Sequence, residues 1–233
     1  FSVTLPKYGI EGRFFDPDAP SEEIEKLIDD RTKLIFTETG ANPSIKVLDF
    51  DKIAAIAKKH GVVFVVDNTL ATPILCRPFE WGANIVVHSS SKYLDGHAAA
   101  LGGVIVDGGN FVFKGNQRYL TFNVPDESYH GLVYADLPAA AFATKCRAQL
   151  VRDTGAIMSP QNAFLSWLGC DTLACAWNAI PAMQRQLRRI LQSIRKSIGF
   201  CMHLCRIIST MLWQKNIFRT AKAVCSASAS RAM

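Results

Sequence analysis

The last quarter of the chain contains no acidic residue. Residues 176–233 include ten Lys and Arg but no Asp or Glu, whereas residues 1–175 hold the other sixteen basic residues and all twenty acidic ones. The overall net charge of +6 therefore describes neither part. The basic segment has no recognisable nucleic-acid motif and no ordered interleaving of aromatic residues, so its charge does not predict nucleic-acid binding. We divide the chain into residues 1–174 and a basic tail, residues 175–233.

Several features of secreted or membrane proteins are also missing. No apolar run is long enough to span a bilayer, and no basic segment followed by a small-residue cleavage site opens the sequence. The chain starts with Phe1 instead of Met. We therefore expect a cytoplasmic fragment of a larger protein, without a membrane partner.

The seven cysteines lack the spacing of a disulfide scaffold or of a complete zinc site. Cys201, His203 and Cys205 lie close together, but no second pair of ligands accompanies them, and structural zinc normally takes four. We predict free thiols and no metal.

Residues 1–174 alternate between short apolar runs and helical patterns. Four runs have the composition of buried strands: residues 33–37, 62–66, 85–87 and 104–106. Asp49 and Gly61 are typical of the start and the end of a helix between the first two. Helices are also predicted from Ser21 and over residues 139–152 and 160–173. This order favours an α/β fold with a mostly parallel sheet flanked by helices.

A possible site lies where two predicted strands end. Asp67 follows the strand 62–66, and Ser89-Ser90-Ser91-Lys92 follows the strand 85–87. In parallel sheets, ligands bind beyond the carboxyl ends of the strands. Hydroxyls and backbone N–H groups bind phosphate, and a lysine amine forms Schiff bases. The alternative is a surface turn capped by serines, with a solvated Lys92 and with Asp67 capping a helix.

Longer motifs indicate a family. Val65-Val66-Asp67-Asn68-Thr69, Ala71-Thr72-Pro73, Arg77-Pro78 and Val87-His88-Ser89-Ser90-Ser91-Lys92-Tyr93 resemble the Cys/Met-metabolism enzymes that depend on pyridoxal 5'-phosphate (PLP). Gly102-Gly103-Val104-Ile105-Val106-Asp107-Gly108-Gly109 and Ser128-Tyr129-His130-Gly131 resemble the O-acetylhomoserine sulfhydrylases within it. The resemblance runs in order from Phe1 to about Leu173.

The resemblance implies a role for particular residues. Lys92 would be the catalytic lysine that holds PLP, and Asp67 would pair with the pyridinium nitrogen. Ser89 and Ser91 would contact the phosphate. Asn42 would lie near the phenolic oxygen of the ring. Thr69 is a further predicted cofactor-binding residue.

The implied fold is the large PLP-binding domain of the aspartate-aminotransferase-like class (fold type I), here incomplete. The implied reaction is γ-replacement on O-acetylhomoserine by sulfide or a thiol, giving homocysteine or methionine. Intact relatives are expected to be homo-oligomers, as a tetramer of dimers that share sites. Alternatives are a methionine γ-lyase, a cystathionine γ-synthase or lyase, or a non-catalytic PLP-domain remnant with a basic binding tail. Ala98-Ala99-Ala100 replaces the family's more polar Gly-Thr-Ser pattern. The family's ring-stacking tyrosine, part of its phosphate cradle and its substrate-carboxylate arginine are not recognised in this sequence, so we expect this chain by itself to be inactive.

The tail is unlike the family, and we predict that it is read out of frame and has no stable fold. Shifting the codons of residues 176–180 by one base permits Arg-Met-Glu-Arg-His, which resembles the family sequence at this point. The same shift permits family-like sequences for residues 213–219 and 222–232. Loss of one base between the codons for Leu173 and Cys175 would account for all three.

Overall fold

The computed structural model describes residues 1–193. Its centre is a four-stranded sheet in the order β1-β2-β3-β4. Strands β1 to β3 run parallel, and β4 runs antiparallel to β3. The mostly parallel sheet predicted from the sequence is thus confirmed. The strands are β1 (Leu34–Glu38), β2 (Val63–Asp67), β3 (Ile85–Ser89) and β4 (Gly103–Asp107).

The α-helices are α1 (Ser21–Glu25), α2 (Phe50–His60), α3 (Thr72–Leu75), α4 (Leu120–Asn123), α5 (Ala141–Lys145), α6 (Arg152–Thr154) and α7 (Pro160–Ser193). Wider helical turns cover Ser90–Leu94 and Cys146–Val151, and the second joins α5 to α6. Short 3-10 helices cover Leu5–Tyr8, Pro78–Trp81, Gln117–Tyr119, Glu127–Tyr129 and Tyr134–Asp136. Within residues 1–193, none of the helices combines the length and the hydropathy needed to cross a bilayer.

Helix α2 begins and ends at the predicted residues. The Asp49 side chain accepts the backbone N–H of Lys52 at 3.1 Å, which satisfies one of the unpaired donors of the first turn. Gly61 ends the helix with φ 60°, a conformation that glycine adopts without steric cost. The prediction for α1 was less accurate, because Ser21 lies inside the helix and Pro20 holds the capping position without a side-chain hydrogen bond.

Two apolar layers cover the sheet. On one face, Phe64, Val66 and Val86 pack with Ile53 and other buried residues of α2. On the other face, Val63, Val65 and Ile85 pack with an aromatic group formed by Phe113, Tyr119, Phe122 and Tyr134. Phe64 is completely buried, so its truncation to Ala should cost about 3–5 kcal/mol. The uniformly apolar sequence of β2 follows from this burial on both faces.

Helix α7 is longer than the sequence predicts. The prediction ended it at Leu173, whereas the structure continues it through Cys175 to Ser193. Beyond Cys175, the Trp177 ring lies 5.1 Å from the ring of Tyr93. The predicted out-of-frame tail therefore starts within a helix, and most of it lies outside the described residues. The same is true of Cys201, His203 and Cys205. In the described part, Cys76, Cys146, Cys170 and Cys175 are free thiols.

Candidate functional site

The carboxyl ends of β1, β2 and β3 form one edge of the sheet. Glu38 pairs with Asp67, so the last residues of β1 and β2 are neighbours, and Asp67 pairs with Val87, two residues before the end of β3. Side chains alternate between the faces of a strand, which places Val87 and Ser89 on the same face of β3. Asp67 and Ser89 therefore lie on one face at one edge, as expected for residues that act on the same ligand.

Thr69 connects these two residues. Its backbone N–H donates to Oδ1 of Asp67 at 2.8 Å, and its hydroxyl oxygen accepts the backbone N–H of Ser89 at 2.8 Å. The first bond orients the carboxylate, and the second fixes the point where β3 ends. The first bond is local and the second spans 20 residues, so Thr69 aligns the acid with the start of the turn that carries Lys92.

Lys92 lies in the turn Ser90–Leu94, directly after β3. Its backbone departs from helical geometry, with φ −98° and ψ −123°, and its carbonyl accepts the N–H of Gly96 at 2.9 Å. The Lys92 side chain is exposed, so its amine is accessible to a ligand.

The Ser91 hydroxyl is already engaged within the lysine-bearing turn. Its oxygen accepts the N–H of Gly102 at 2.9 Å and lies 3.3 Å from the Gly102 carbonyl. These bonds tie the turn to the segment that leads into β4. Ser89, by contrast, is half-buried, and only its backbone takes part in the bond to Thr69. Of the two serines, Ser89 has the hydroxyl that is better placed for a ligand.

Asn42 lies in the loop after β1. Its backbone N–H donates to Oε2 of Glu38 at 3.1 Å, and its side chain is exposed. The loop leaves the same sheet edge as Asp67, because Thr39 donates its N–H to the Asp67 carbonyl at 2.9 Å. Asn42 thus shares the edge with the other candidate residues but has no hydrogen bond to them.

Asn68 is a structural residue of the site that the sequence analysis did not single out. Its side chain is buried, accepts the Thr39 hydroxyl at 2.8 Å and donates to the Cys76 carbonyl at 2.8 Å. It therefore joins the end of β1 to the end of α3, on either side of Asp67. Its position directly after Asp67, within the motif Val65-Val66-Asp67-Asn68-Thr69, is the signal that could have found it.

His88 is buried on the sheet face opposite to Ser89. Burial lowers its pKa below the ordinary value of 6.5, against the opposing effects of the Asp67 charge and of a backbone hydrogen bond to Asn68. Burial therefore favours the neutral form of this imidazole.

Comparison with known proteins identifies the chain at this point. A family model described as Cys/Met metabolism PLP-dependent enzyme matches residues 1–196. The chain belongs to this family. Its fold is accordingly that of the fold type I PLP enzymes, represented here by part of the large domain.

Two relatives show the level of similarity. The homocysteine/cysteine synthase of Kluyveromyces lactis is 44% identical over 196 residues, which are 83% of this chain and 44% of that protein. The O-acetyl-L-homoserine sulfhydrylase of Corynebacterium glutamicum is 43% identical over 179 residues, with 75% of this chain and 41% of that protein covered. The chain thus spans about two fifths of the length of these relatives.

Solved structures agree with the family assignment. A putative O-acetylhomoserine (thiol)-lyase from Campylobacter jejuni matches with a TM-score of 0.71 and 45% identity, covering 75% of this chain and 42% of that one. That structure contains a pyridoxyl-lysine monophosphate. A cystathionine γ-lyase from Lactobacillus plantarum, complexed with L-serine, matches with a TM-score of 0.57 and 26% identity, covering 74% and 37% of the two chains.

The groups at the sheet edge fit PLP in their chemistry. Asp67 offers a carboxylate at a strand end, Ser89 offers a hydroxyl on the same face, and Lys92 offers an exposed amine three residues later. A carboxylate suits a pyridinium nitrogen, a hydroxyl suits a phosphate oxygen, and an amine suits an aldehyde. Within residues 1–193, no group of three His, Cys, Asp or Glu side chains is suited to a metal ion.

Proposed function

We propose that the chain is part of a PLP-dependent sulfhydrylase that replaces the γ-substituent of O-acetylhomoserine with sulfide or a thiol. The observation that carries the proposal is the alignment of Asp67 and Ser89 by Thr69, directly before the turn of Lys92. The substrates are small molecules: an amino acid, and sulfide or a thiol. A cytoplasmic location and a homo-oligomeric state of the intact protein are part of the proposal.

When bound, PLP supplies an electron sink that stabilises negative charge on the substrate carbon next to the amine. Lys92 would hold the cofactor through its amine. When free, the same amine would remove and return protons at the α and β carbons of the substrate. Departure of acetate from the γ carbon opens the position to which the sulfur nucleophile adds.

The other residues of the site bind and orient. Asp67 keeps the ring nitrogen protonated through its negative charge, and Thr69 keeps the carboxylate in place. Ser89 binds the phosphate through its hydroxyl, and Ser91 contributes the geometry of the turn as well as a phosphate contact. Asn42 lies beside the phenolic oxygen of the ring in this proposal.

The sulfhydrylase is favoured over a lyase by the degree of similarity. Relatives named as sulfhydrylases or homocysteine synthases reach 43–44% identity, whereas the cystathionine γ-lyase structure reaches 26%. In this family, a methionine γ-lyase and a cystathionine γ-synthase would hold PLP on the lysine that corresponds to Lys92. They differ from a sulfhydrylase in what happens to the substrate.

A chimeric enzyme tests this function. Residues 1–174 would replace the matching segment of the Corynebacterium glutamicum sulfhydrylase, which supplies the rest of the protein. We expect the chimera to form homocysteine from O-acetylhomoserine and sulfide, and the Lys92→Ala chimera to form none. A chimera that instead releases ammonia and a keto acid from methionine, without incorporating sulfide, would point to the lyase.

A further inference from the structure

Helix α7 packs directly on the segment that carries Lys92. Cys170 lies with its Sγ 3.8 Å from the Leu94 carbonyl, and the Asn162 amide donates to the Leu101 carbonyl at 3.1 Å. Just before the helix, the Met158 side chain lies so close to Gly102 that a β-carbon on Gly102 would overlap it and the Ser90 hydroxyl. Helix α7 thus covers one side of the turn after β3, while Lys92 stays exposed.

The closest approach is at Gly169. A β-carbon at this position would lie 2.6 Å from the carbonyl carbon of Asp95 and 2.7 Å from its Cα, well inside van der Waals contact. The obstacle is backbone, so a flexible side chain cannot move away to make room. Asp95 itself is fully buried, and its N–H donates to the Ser90 carbonyl at 2.9 Å. Helix α7 therefore packs against the backbone of Asp95, the residue that follows the turn Ser90–Leu94.

Glycine is an unfavourable choice for the interior of a helix, second only to proline. Gly169 is the tenth residue of α7, far from either end, so it serves neither as a cap nor as a turn. Its presence is explained by the contact with Asp95, which a larger residue would prevent.

We propose that Gly169 is a positioning residue for Lys92. The missing side chain lets α7 lie against the backbone of Asp95, and this contact fixes the turn in which Lys92 holds the cofactor. The inference rests on the proposed role of Lys92. Gly169→Ala would separate helix and turn by roughly 1 Å, a displacement that can cost an active site on the order of 100-fold in rate.

The test uses the complete 233-residue chain. The chain is incubated with PLP and reduced with borohydride at timed intervals, and the pyridoxyl group on Lys92 is quantified by peptide mass spectrometry. We expect attachment to be at least roughly tenfold slower in Gly169→Ala. Gly12→Ala is the matched control, because its β-carbon would meet Phe1 at an ordinary 3.4 Å.

Hydrogen exchange of the chain without PLP supplies a second measurement. We expect faster exchange at residues 92–96 in Gly169→Ala, with unchanged protection in β2 and undiminished helical circular dichroism, since alanine favours a helix more than glycine does. If β2 also loses protection, Asn162→Ala becomes the deciding variant. It removes only the bond to Leu101 and should still slow attachment.

The outcomes separate the two proposals. Attachment and exchange equal to those of the unaltered chain, in Gly169→Ala or in the deciding variant, would overturn the role of Gly169 while leaving Lys92 as the cofactor lysine. An unaltered chain that captures no PLP on Lys92 would overturn the cofactor site and the role of Gly169 together.

Discussion

Thr69 donates its backbone N–H to the carboxylate of Asp67 at 2.8 Å. Through its hydroxyl, the same residue also accepts the N–H of Ser89, at the end of the neighbouring strand. One residue thus sets the distance between the acid that is proposed to bind the ring nitrogen and the serine that is proposed to bind the phosphate. Both contacts are made within the polypeptide itself.

Replacing Thr69 tests this alignment. Thr69→Val keeps the shape of the side chain but removes the acceptor for the N–H of Ser89, and Thr69→Ser keeps the acceptor. Because a hydrogen bond of this kind contributes about 0.5–1.5 kcal/mol, we expect PLP to bind about three- to tenfold more weakly to the valine variant. A titration followed by absorbance measures the affinity. Equal weakening in the serine variant would contradict the role of the hydroxyl.

The buried imidazole of His88 should make stability depend on pH. Its pKa is lowered in the folded state, so below about pH 6.5 the unfolded chain binds a proton more readily than the folded one. The part of the free energy of unfolding that depends on the neutral His88 imidazole is fully present above pH 6.5. It is lost as the pH falls through the lowered pKa of the folded state. We expect the free energy of unfolding to decrease less between pH 7 and pH 5 in His88→Gln than in the unaltered chain.

Denaturant titrations at pH 5, 6 and 7 measure this dependence. His130→Gln is the control, because it removes an exposed imidazole instead of a buried one. Parallel slopes for the unaltered chain and His88→Gln would show that burial does not perturb this imidazole.

Strand β4 should promote self-association. Among the described strands it pairs only with β3, and its consecutive Val104, Ile105 and Val106 are 39%, 62% and 37% exposed. An exposed apolar edge strand is a template for pairing with another chain, and a lysine there opposes such pairing. We expect Ile105→Lys to reduce light scattering in concentrated solution. Val112→Lys changes the charge at an exposed position outside the sheet, so an equal effect of that control would refute the edge explanation.

The sequence predicted the strands well because these depend on local patterns. The apolar residues 62–66 are uniform enough to require burial on both faces, and Asp49 and Gly61 are strong local signals for the ends of α2. The alignment by Thr69 could not be predicted, because it depends on the register of β2 against β3. The approach of Gly169 to Asp95 joins residues 74 positions apart in the chain, and the sequence shows Gly169 only as an unfavourable residue in a helix.

The basic tail remains a prediction. Its lack of acidic residues and the family-like readings in one shifted frame favour the loss of a base near codons 173–175. Helix α7 passes through this point without a break, which an apolar and basic sequence also permits. The nucleotide sequence decides: a TCN codon for Ser228 agrees with the shifted frame, and an AGY codon excludes it.

The central claim is that Lys92 holds PLP. Borohydride reduction of the PLP-treated chain, followed by peptide mass spectrometry, tests it most directly. Lys59 is a suitable comparison, because it is an exposed lysine bound to Glu25 at 2.7 Å, away from the strand ends of the site. We expect the pyridoxyl group on Lys92, retained in Lys59→Ala and absent in Lys92→Ala. A pyridoxyl group on Lys59, or one that persists elsewhere at the same level in Lys92→Ala, would contradict the account.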